Sequence, residues 1–454
     1  MLRQLRESLG EEAVITDSAA LQARCHDRSG TPAPGMPLAV VRPTSTDDVS
    51  TVLRMAYEHG ISVVPQGALT GLAGGANALP GSILLDLTAM SAIVRIDPVD
   101  LVAVVQPGVV TADLAAAAAA RGLFYAPDPA SATESTIGGN VATNAGGMRC
   151  VKYGVTRDAV RSLEIVLANG DVVRTAPPTV KKVGGLDLTS LIVGCEGTLA
   201  VVTEVTVGLL PAPGPVRGIT ASFDSRDAAL DAANEIMVRP HRPSTLEFMD
   251  ETVIGATVAY DPAAGLPTAA KGWLLVLTDS ELQGADDIAD YVSVAREHGA
   301  MMIDTATDPE RVDELLKARR LLNPAMHELR GDSLNEDVSV PRSRLPELMT
   351  RLDELSADCG LPIGTAGHVG DGNLHPVICF DPDDPEQTRV AHQTHERVLA
   401  LASELGGTVT GEHGIGLEKL SAVDTELGPR VRDLQRGIKQ VLDPSGILNP
   451  GKKF

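Results

Sequence analysis

PDPASATESTIGGNVATNAGGMRCVKYGVTRD, residues 127–158, is a long run of small and polar residues with no hydrophobic period. It contains Ile137-Gly138-Gly139-Asn140, Thr143-Asn144 and Gly146-Gly147. It reads as an extended, structureless loop, and a loop that long in a compact chain is usually functional. Its side chains and amides offer many hydrogen-bond donors with almost no bulk. That suits wrapping a large, flat, hydrogen-bonding ligand at short range, and a core element could not be built from it.

Upstream, PQGALTGLAGGANA (65–78) places Gly67, Gly71, Gly74 and Gly75 directly after an expected strand, ISVVPQG (61–67). Such a loop suits a pyrophosphate, although its spacing is not G-x-G-x-x-G and a tight structural turn reads equally well from it alone. Around it, LAVVRP (38–43), SILLDL (82–87) and LVAVVQPG (101–108) read as strands, and Thr46 as the cap of a helix ending at Gly60. The order β-α-β-β implies an α+β sheet with helices packed on it, not a simple run of parallel crossovers. Downstream, SLEIVLANGDVVRT (162–175) reads as a hairpin turning at Asn169-Gly170, and residues 191–211 supply two more strands. PAPGP (211–215) reads as a linker, after which strands alternate with amphipathic helices, as in a second α+β domain with an antiparallel sheet.

Bulk properties limit the function. A chain of 454 residues holds two or three packed units. Hydrophobic residues are 43% and aromatic residues 2%, so the core must rest on Ala, Val, Leu and Ile. The net charge of -22 argues against nucleic-acid partners and anionic membrane surfaces. An anionic substrate then needs local positive charge. Cys25, Cys150, Cys195, Cys359 and Cys379 form no C-x-x-C pair, which implies reduced thiols and no iron–sulfur cluster. No signal-peptide h-region and no run of about 18 apolar residues is present, so a cytoplasmic protein without a membrane span is expected.

Chemistry gathers in GTAGHVGDGNLHPVI (364–378) and GTVTGEHGIGLEK (407–419). His368, His375 and Glu412 are a suitable donor set for Zn²⁺, Mn²⁺ or Fe²⁺, with His413 beside them. H-x₆-H is no standard zinc spacing, and histidines beside glycines are often plain loop residues.

The two glycine loops, with GCEGTLAVVTEV (194–205) and the terminal NPGK (449–452), resemble the FAD-binding domain of the vanillyl-alcohol oxidase / p-cresol methylhydroxylase superfamily over nearly the whole chain. The resemblance implies an α+β fold: a two-subdomain FAD-binding domain, an antiparallel-sheet α+β substrate (cap) domain and a C-terminal helical segment. The expected divisions are 1–35 as entry, 36–213 as FAD-binding domain, 214–425 as cap with the metal site, and 426–454 as a tail returning to the flavin. It implies pyrophosphate contacts at Gly67, Thr70, Gly71, Leu72, Gly74 and Gly75. It implies isoalloxazine and ribityl contacts at Pro129, Ser131, Gly138, Gly139, Asn140, Thr143, Asn144 and Gly147, a third contact strand at Glu196, Gly197 and Thr198, and Asn449 in the tail. Relatives often read R-G-x-G-T where this chain has Gln66-Gly67-Ala68-Leu69-Thr70, and those with covalent FAD often carry His where Thr70 stands. Non-covalent FAD is therefore expected.

The second domain resembles the subgroup of the glycolate oxidase flavoprotein subunit, D-lactate dehydrogenase and D-2-hydroxyglutarate dehydrogenase. That implies His368, His375 and Glu412 as metal ligands, zinc first among the candidates, and Arg319 as a clamp on the substrate carboxylate. His413 would take the hydroxyl proton while a hydride passes from C2 to flavin N5. Asn323 and Asn335 stand where a dicarboxylate enzyme of the subgroup has Thr and Lys, which favours a small D-2-hydroxy monocarboxylate such as lactate or glycolate. The alternatives are a D-2-hydroxyglutarate dehydrogenase, a flavin oxidase of another alcohol, a metal- or flavin-binding regulatory protein without turnover, and an electron-transfer subunit of a larger complex. Electrons must leave to a quinone, a cytochrome or an electron-transfer flavoprotein, which allows a peripheral membrane location. A homodimer is the default assembly.

Overall fold

The computed structural model describes residues 1–454 and divides into two compact units. The first comprises Met1–Gly147, Gly154–Ala212 and Glu412–Phe454; the second comprises Met148–Tyr153 and Pro213–Gly411.

In the first unit, Ala39–Val41, Ile83–Asp86 and Val63–Gln66 pair in parallel in that order, and Val14–Ile15 adds an antiparallel edge. The β-α-β-β run is thus a parallel three-strand core. Its strands are apolar on both faces, as parallel sheets covered on both sides require. Val41, Val63, Ile83 and Leu85 pack on Val49, Val52 and Leu53 of the helix Thr46–His59, whereas Val40, Val64 and Leu84 pack on Leu21 and Cys25. The cap of that helix is Ser45, not Thr46: its side chain accepts from Asp48 N, and Asp48 answers with a bond to the Ser45 amide. The second sheet is antiparallel: Ile93–Asp97, Val102–Val105, Val201–Gly208, Val160–Val166 and Val172–Arg174. The last two form the expected hairpin around Asn169-Gly170.

Residues 127–158 are less structureless than their composition implies. Short helices occupy Ile137–Thr143, Cys150–Tyr153 and Thr156–Ala159. Thr136 starts the first by accepting from Gly139 N, and Ile137 and Val141 anchor it in the core. Two anchors and one cap nucleate a turn that no periodicity announces. Leu191 and Ile192, expected to open a strand, instead end a short helix, Leu188–Ile192, capped by Asp187.

The second unit is one antiparallel sheet: Met302–Ala306, Arg217–Phe223, Gly272–Thr278, Thr245–Asp250, Ile363–His368, Asn373–Phe380 and Asp332–Asn335, with Val338–Ser339 also on Asn373–Phe380. Its four middle strands from Gly272–Thr278 to Asn373–Phe380 are buried along their whole length. Polar side chains on them are therefore costly unless paired. The fold is α+β, with mixed helices and antiparallel sheets.

Candidate functional site

In the first unit, the strand Val63–Gln66 empties into residues 67–77. The amides from Ala68 to Gly75 donate to no protein acceptor. Backbone donors without an internal acceptor must meet water or a ligand, and consecutive ones are the donor set of an anion nest. The loop is held from outside: Arg24 donates to Gln66 and to the Gly67 carbonyl, and the Arg28 amide donates to the Gly71 carbonyl.

The other three segments converge on this loop. A Cβ on Gly67 would lie 2.5 Å from Thr136 Oγ1. The Glu196 amide donates to the Ala142 carbonyl, 2.8 Å. Asn449 Nδ2 donates to the carbonyls of Gly75, 2.9 Å, and Glu196, 2.8 Å. The segment after Glu412 threads below: Leu417 N donates to the Ala73 carbonyl, and the amides of Ile415 and Gly416 donate to the Glu196 carboxylate. Half-buried His413 lies on that pinned segment, and the Glu412 side chain presses on Gly146. Five of the six non-glycine residues at positive φ belong to these segments: Leu69, Asn144, Glu196, Asn449 and Lys453. Such strain costs about 1–3 kcal/mol each and concentrates where a ligand is clamped. Asn449 Oδ1 is buried and without a partner, as a ligand contact requires. These features fit a large anionic cofactor.

Several implied contact residues already have internal tasks. The Gly138 amide donates to the Pro107 carbonyl, and Gly139 N to Thr136. Asn140 Nδ2 donates to Thr111, Asn144 Oδ1 accepts from the Arg157 amide, and the Thr198 hydroxyl donates to the Cys195 carbonyl. Glu196 is a hub: its carboxylate also receives Lys453 Nζ, 3.0 Å. These residues shape the cradle. Thr70, Gly71, Leu72, Gly74, Pro129, Ser131, Thr143, Gly147 and Gly197 lie in the same loops and short helix.

In the second unit, the hairpin Ile363–Phe380 explains H-x₆-H. His368 pairs with Asn373, and Ala366 with His375, so the two imidazoles are diagonal neighbours on one face. Their ring centroids are 5.4 Å apart at 89°. Each ring is oriented through Nδ1. His368 Nδ1 bonds Glu247 Oε1, 2.6 Å, and His375 Nδ1 bonds the Glu336 carbonyl, 3.1 Å. Carboxylate and carbonyl only accept, so each Nδ1 carries the hydrogen, and a neutral ring presents the Nε2 lone pair outward of that bond. This is how proteins orient metal-binding histidines. The break between Asp332–Asn335 and Val338–Ser339 aims the Glu336 carbonyl.

Arg319 is part of the same constellation. Its Nε donates to the other oxygen of Glu247, 2.7 Å. Burial would raise the Glu247 carboxyl, but the hydrogen bond from His368 and the charge of Arg319 hold it well below the usual carboxylate range. Arg320 pairs with exposed Asp313 on the helix surface, so the two neighbouring arginines part company. Asn335 Nδ2 donates to Asn323 Oδ1, 3.4 Å.

Sequence reasoning missed Glu247, Glu336, Asp337, His395 and Lys452. Asp337 accepts from Asn373 and Thr410, holding the turn of the hairpin, and His395 pairs with the Glu336 side chain. Lys452 is 1% exposed and donates to the carbonyls of Gly75, 2.9 Å, and Asn77, 2.5 Å. A tail lysine reads as solvated, and only its place in NPGK marks it.

Residues 37–176 match an FAD binding domain family, and residues 213–453 match the family described as FAD linked oxidases, C-terminal domain. A glycolate oxidase subunit GlcD of Bacillus subtilis is 40% identical over 92% of this chain and 89% of that one. A D-lactate dehydrogenase of Anaerostipes hadrus is 36% identical over 100% of this chain and 96% of that one. Among solved structures, p-cresol methylhydroxylase with substrate bound superposes with a TM-score of 0.82 at 21% identity, covering 99% of this chain and 95% of that one, which bears on the fold alone. Its two matched domains and these relatives together make the chain a member of the FAD-linked oxidase family, an FAD-linked oxidoreductase of the p-cresol methylhydroxylase fold.

Proposed function

We propose that the chain oxidises a small D-2-hydroxy monocarboxylate, of the lactate or glycolate type, to the 2-oxo acid. The carrying observation is the row Arg319–Glu247–His368 beside His375, a carboxylate-binding cation tied to two oriented imidazoles. Two relatives are named for glycolate and D-lactate, both small 2-hydroxy monocarboxylates. The Asn323–Asn335 pair offers no cation for a second carboxylate, which weighs against a 2-hydroxyglutarate substrate.

His368, His375 and Glu412 are the proposed metal ligands. Gly411 packs against Asn373, the first residue of the strand Asn373–Phe380 that carries His375, and Glu412 follows Gly411 in the sequence. A divalent cation held there would lower the pKa of the substrate's 2-hydroxyl. FAD, held without a covalent bond by the first unit, would accept the hydride from C2. Arg319 grips the substrate carboxylate through the guanidinium edge away from Glu247. His413 takes the hydroxyl proton as general base. The two electrons then pass to an external acceptor. Replacing His368 by Ala should remove bound metal and lower kcat/KM by at least about 100-fold while the flavin stays bound. Retained turnover with unchanged metal content, read by elemental analysis, contradicts the metal assignment.

A further inference from the structure

Glu247 is 0% exposed and lies on a strand buried along its length. It reaches its position through register. Phe248 pairs with Gly367 and Met249 with Ala366, so the next step of the ladder sets Glu247 opposite His368. Its two oxygens are divided between two partners on different elements. Oε1 takes His368 Nδ1, at the end of Ile363–His368, and Oε2 takes Arg319 Nε, in the last turn of Pro309–Arg320. A carboxylate held in a buried strand and shared in this way fixes both side chains against each other. Neither can rotate without breaking a charge-assisted bond to a fully buried carboxylate.

We propose, resting on the metal reading of His368 and His375, that Glu247 is a positioning residue that couples the two recognition tasks of the second unit. One oxygen orients the metal-binding imidazole and the other orients the guanidinium that holds the substrate carboxylate. The alternative is a plain counter-ion that fastens the helix Pro309–Arg320 to the sheet. The two differ in what a near-isosteric change does. Glu247→Gln keeps the volume but sets an NH₂ against one of two donors, because Arg319 Nε–H and His368 Nδ1–H both donate. Glu247→Asp keeps the charge but is one methylene too short to serve both partners.

The test is Zn²⁺ affinity of the FAD-loaded protein, measured by competition with a chromophoric chelator and accompanied by a thermal melt and the flavin spectrum. Second-shell partners of this kind are worth about 10- to 100-fold in metal affinity. Glu247→Gln should therefore bind Zn²⁺ about 10- to 100-fold more weakly with its flavin spectrum unchanged, and Glu247→Asp should fall between it and the wild type. A folded Glu247→Gln protein with wild-type Zn²⁺ affinity and only a lowered melting temperature overturns the proposal in favour of the counter-ion. If Glu247→Gln does not fold, Glu247→Asp decides: unchanged Zn²⁺ affinity overturns the proposal. Wild-type protein that binds neither Zn²⁺ nor Mn²⁺ overturns the metal reading and the role of Glu247 with it, an outcome distinct from a loss confined to the variants.

Discussion

Lys452 shows how a single tail residue can serve the cofactor cradle. Its ammonium is almost fully enclosed and donates to the carbonyls of Gly75 and Asn77, at the end of the first glycine loop. Burial pulls it down to about 7, with Asp27 and Glu196 opposing, against an ordinary lysine value of about 10.4. Between those values the folded chain binds fewer protons than the unfolded chain, so stability rises with pH across that window. Below it the cost of burying the charge is present in full. In flavin-free protein, the melting temperature of the wild type relative to Lys452→Met should therefore climb as pH goes from about 7 to about 9. A pH-independent difference would show that the lysine is already charged and compensated. At the same scale Glu196 and Asn449 stood out in the sequence, but not their internal bonds. Glu196 braces the segment that carries His413, and Asn449 ties three loops together.

The hairpin Ile363–Phe380 is the element on which the metal reading turns. Gly372 holds φ 84° in its turn, and a Cβ there would strike the Val340 carbonyl. Gly372→Ala should shift the register of the turn and weaken metal uptake by about tenfold or more, while the ratio of flavin to protein stays that of the wild type. Equal loss of metal and flavin would mean that the hairpin is only a folding element. How much of this could be read in advance differs by element. The glycine-rich segments announced themselves because their composition excludes a core. His368 and His375 were visible as residues, yet their spacing matched no metal rule, since the rule that joins them is strand pairing, not helical or loop period. Glu247 left no trace: TLEFMD reads as an ordinary strand, and its partners lie 72 and 121 residues away. The short helix Ile137–Thr143 was hidden for a related reason. One cap and two buried side chains suffice to hold it, and its glycines argue locally against a helix.

Across the whole molecule, a net charge of -22 repels anions, so the proposed anionic substrate needs a local cation, the part proposed for Arg319. No helix is long and apolar enough to cross a membrane. The core is aliphatic, as the scarcity of aromatic residues required, with Tyr125 and Phe454 the aromatic side chains in the cluster beneath the second sheet. All five cysteines are free thiols. The chain therefore combines an FAD-binding unit with a second unit that carries a buried polar row, Arg319–Glu247–His368. The most direct test of that combination is reduction of the bound flavin. Anaerobic mixing of the oxidised protein with D-lactate, L-lactate, glycolate and D-2-hydroxyglutarate should bleach the flavin absorbance with D-lactate or glycolate, and faster than with D-2-hydroxyglutarate. A flavin that none of these acids reduces would contradict the assignment to 2-hydroxy acids.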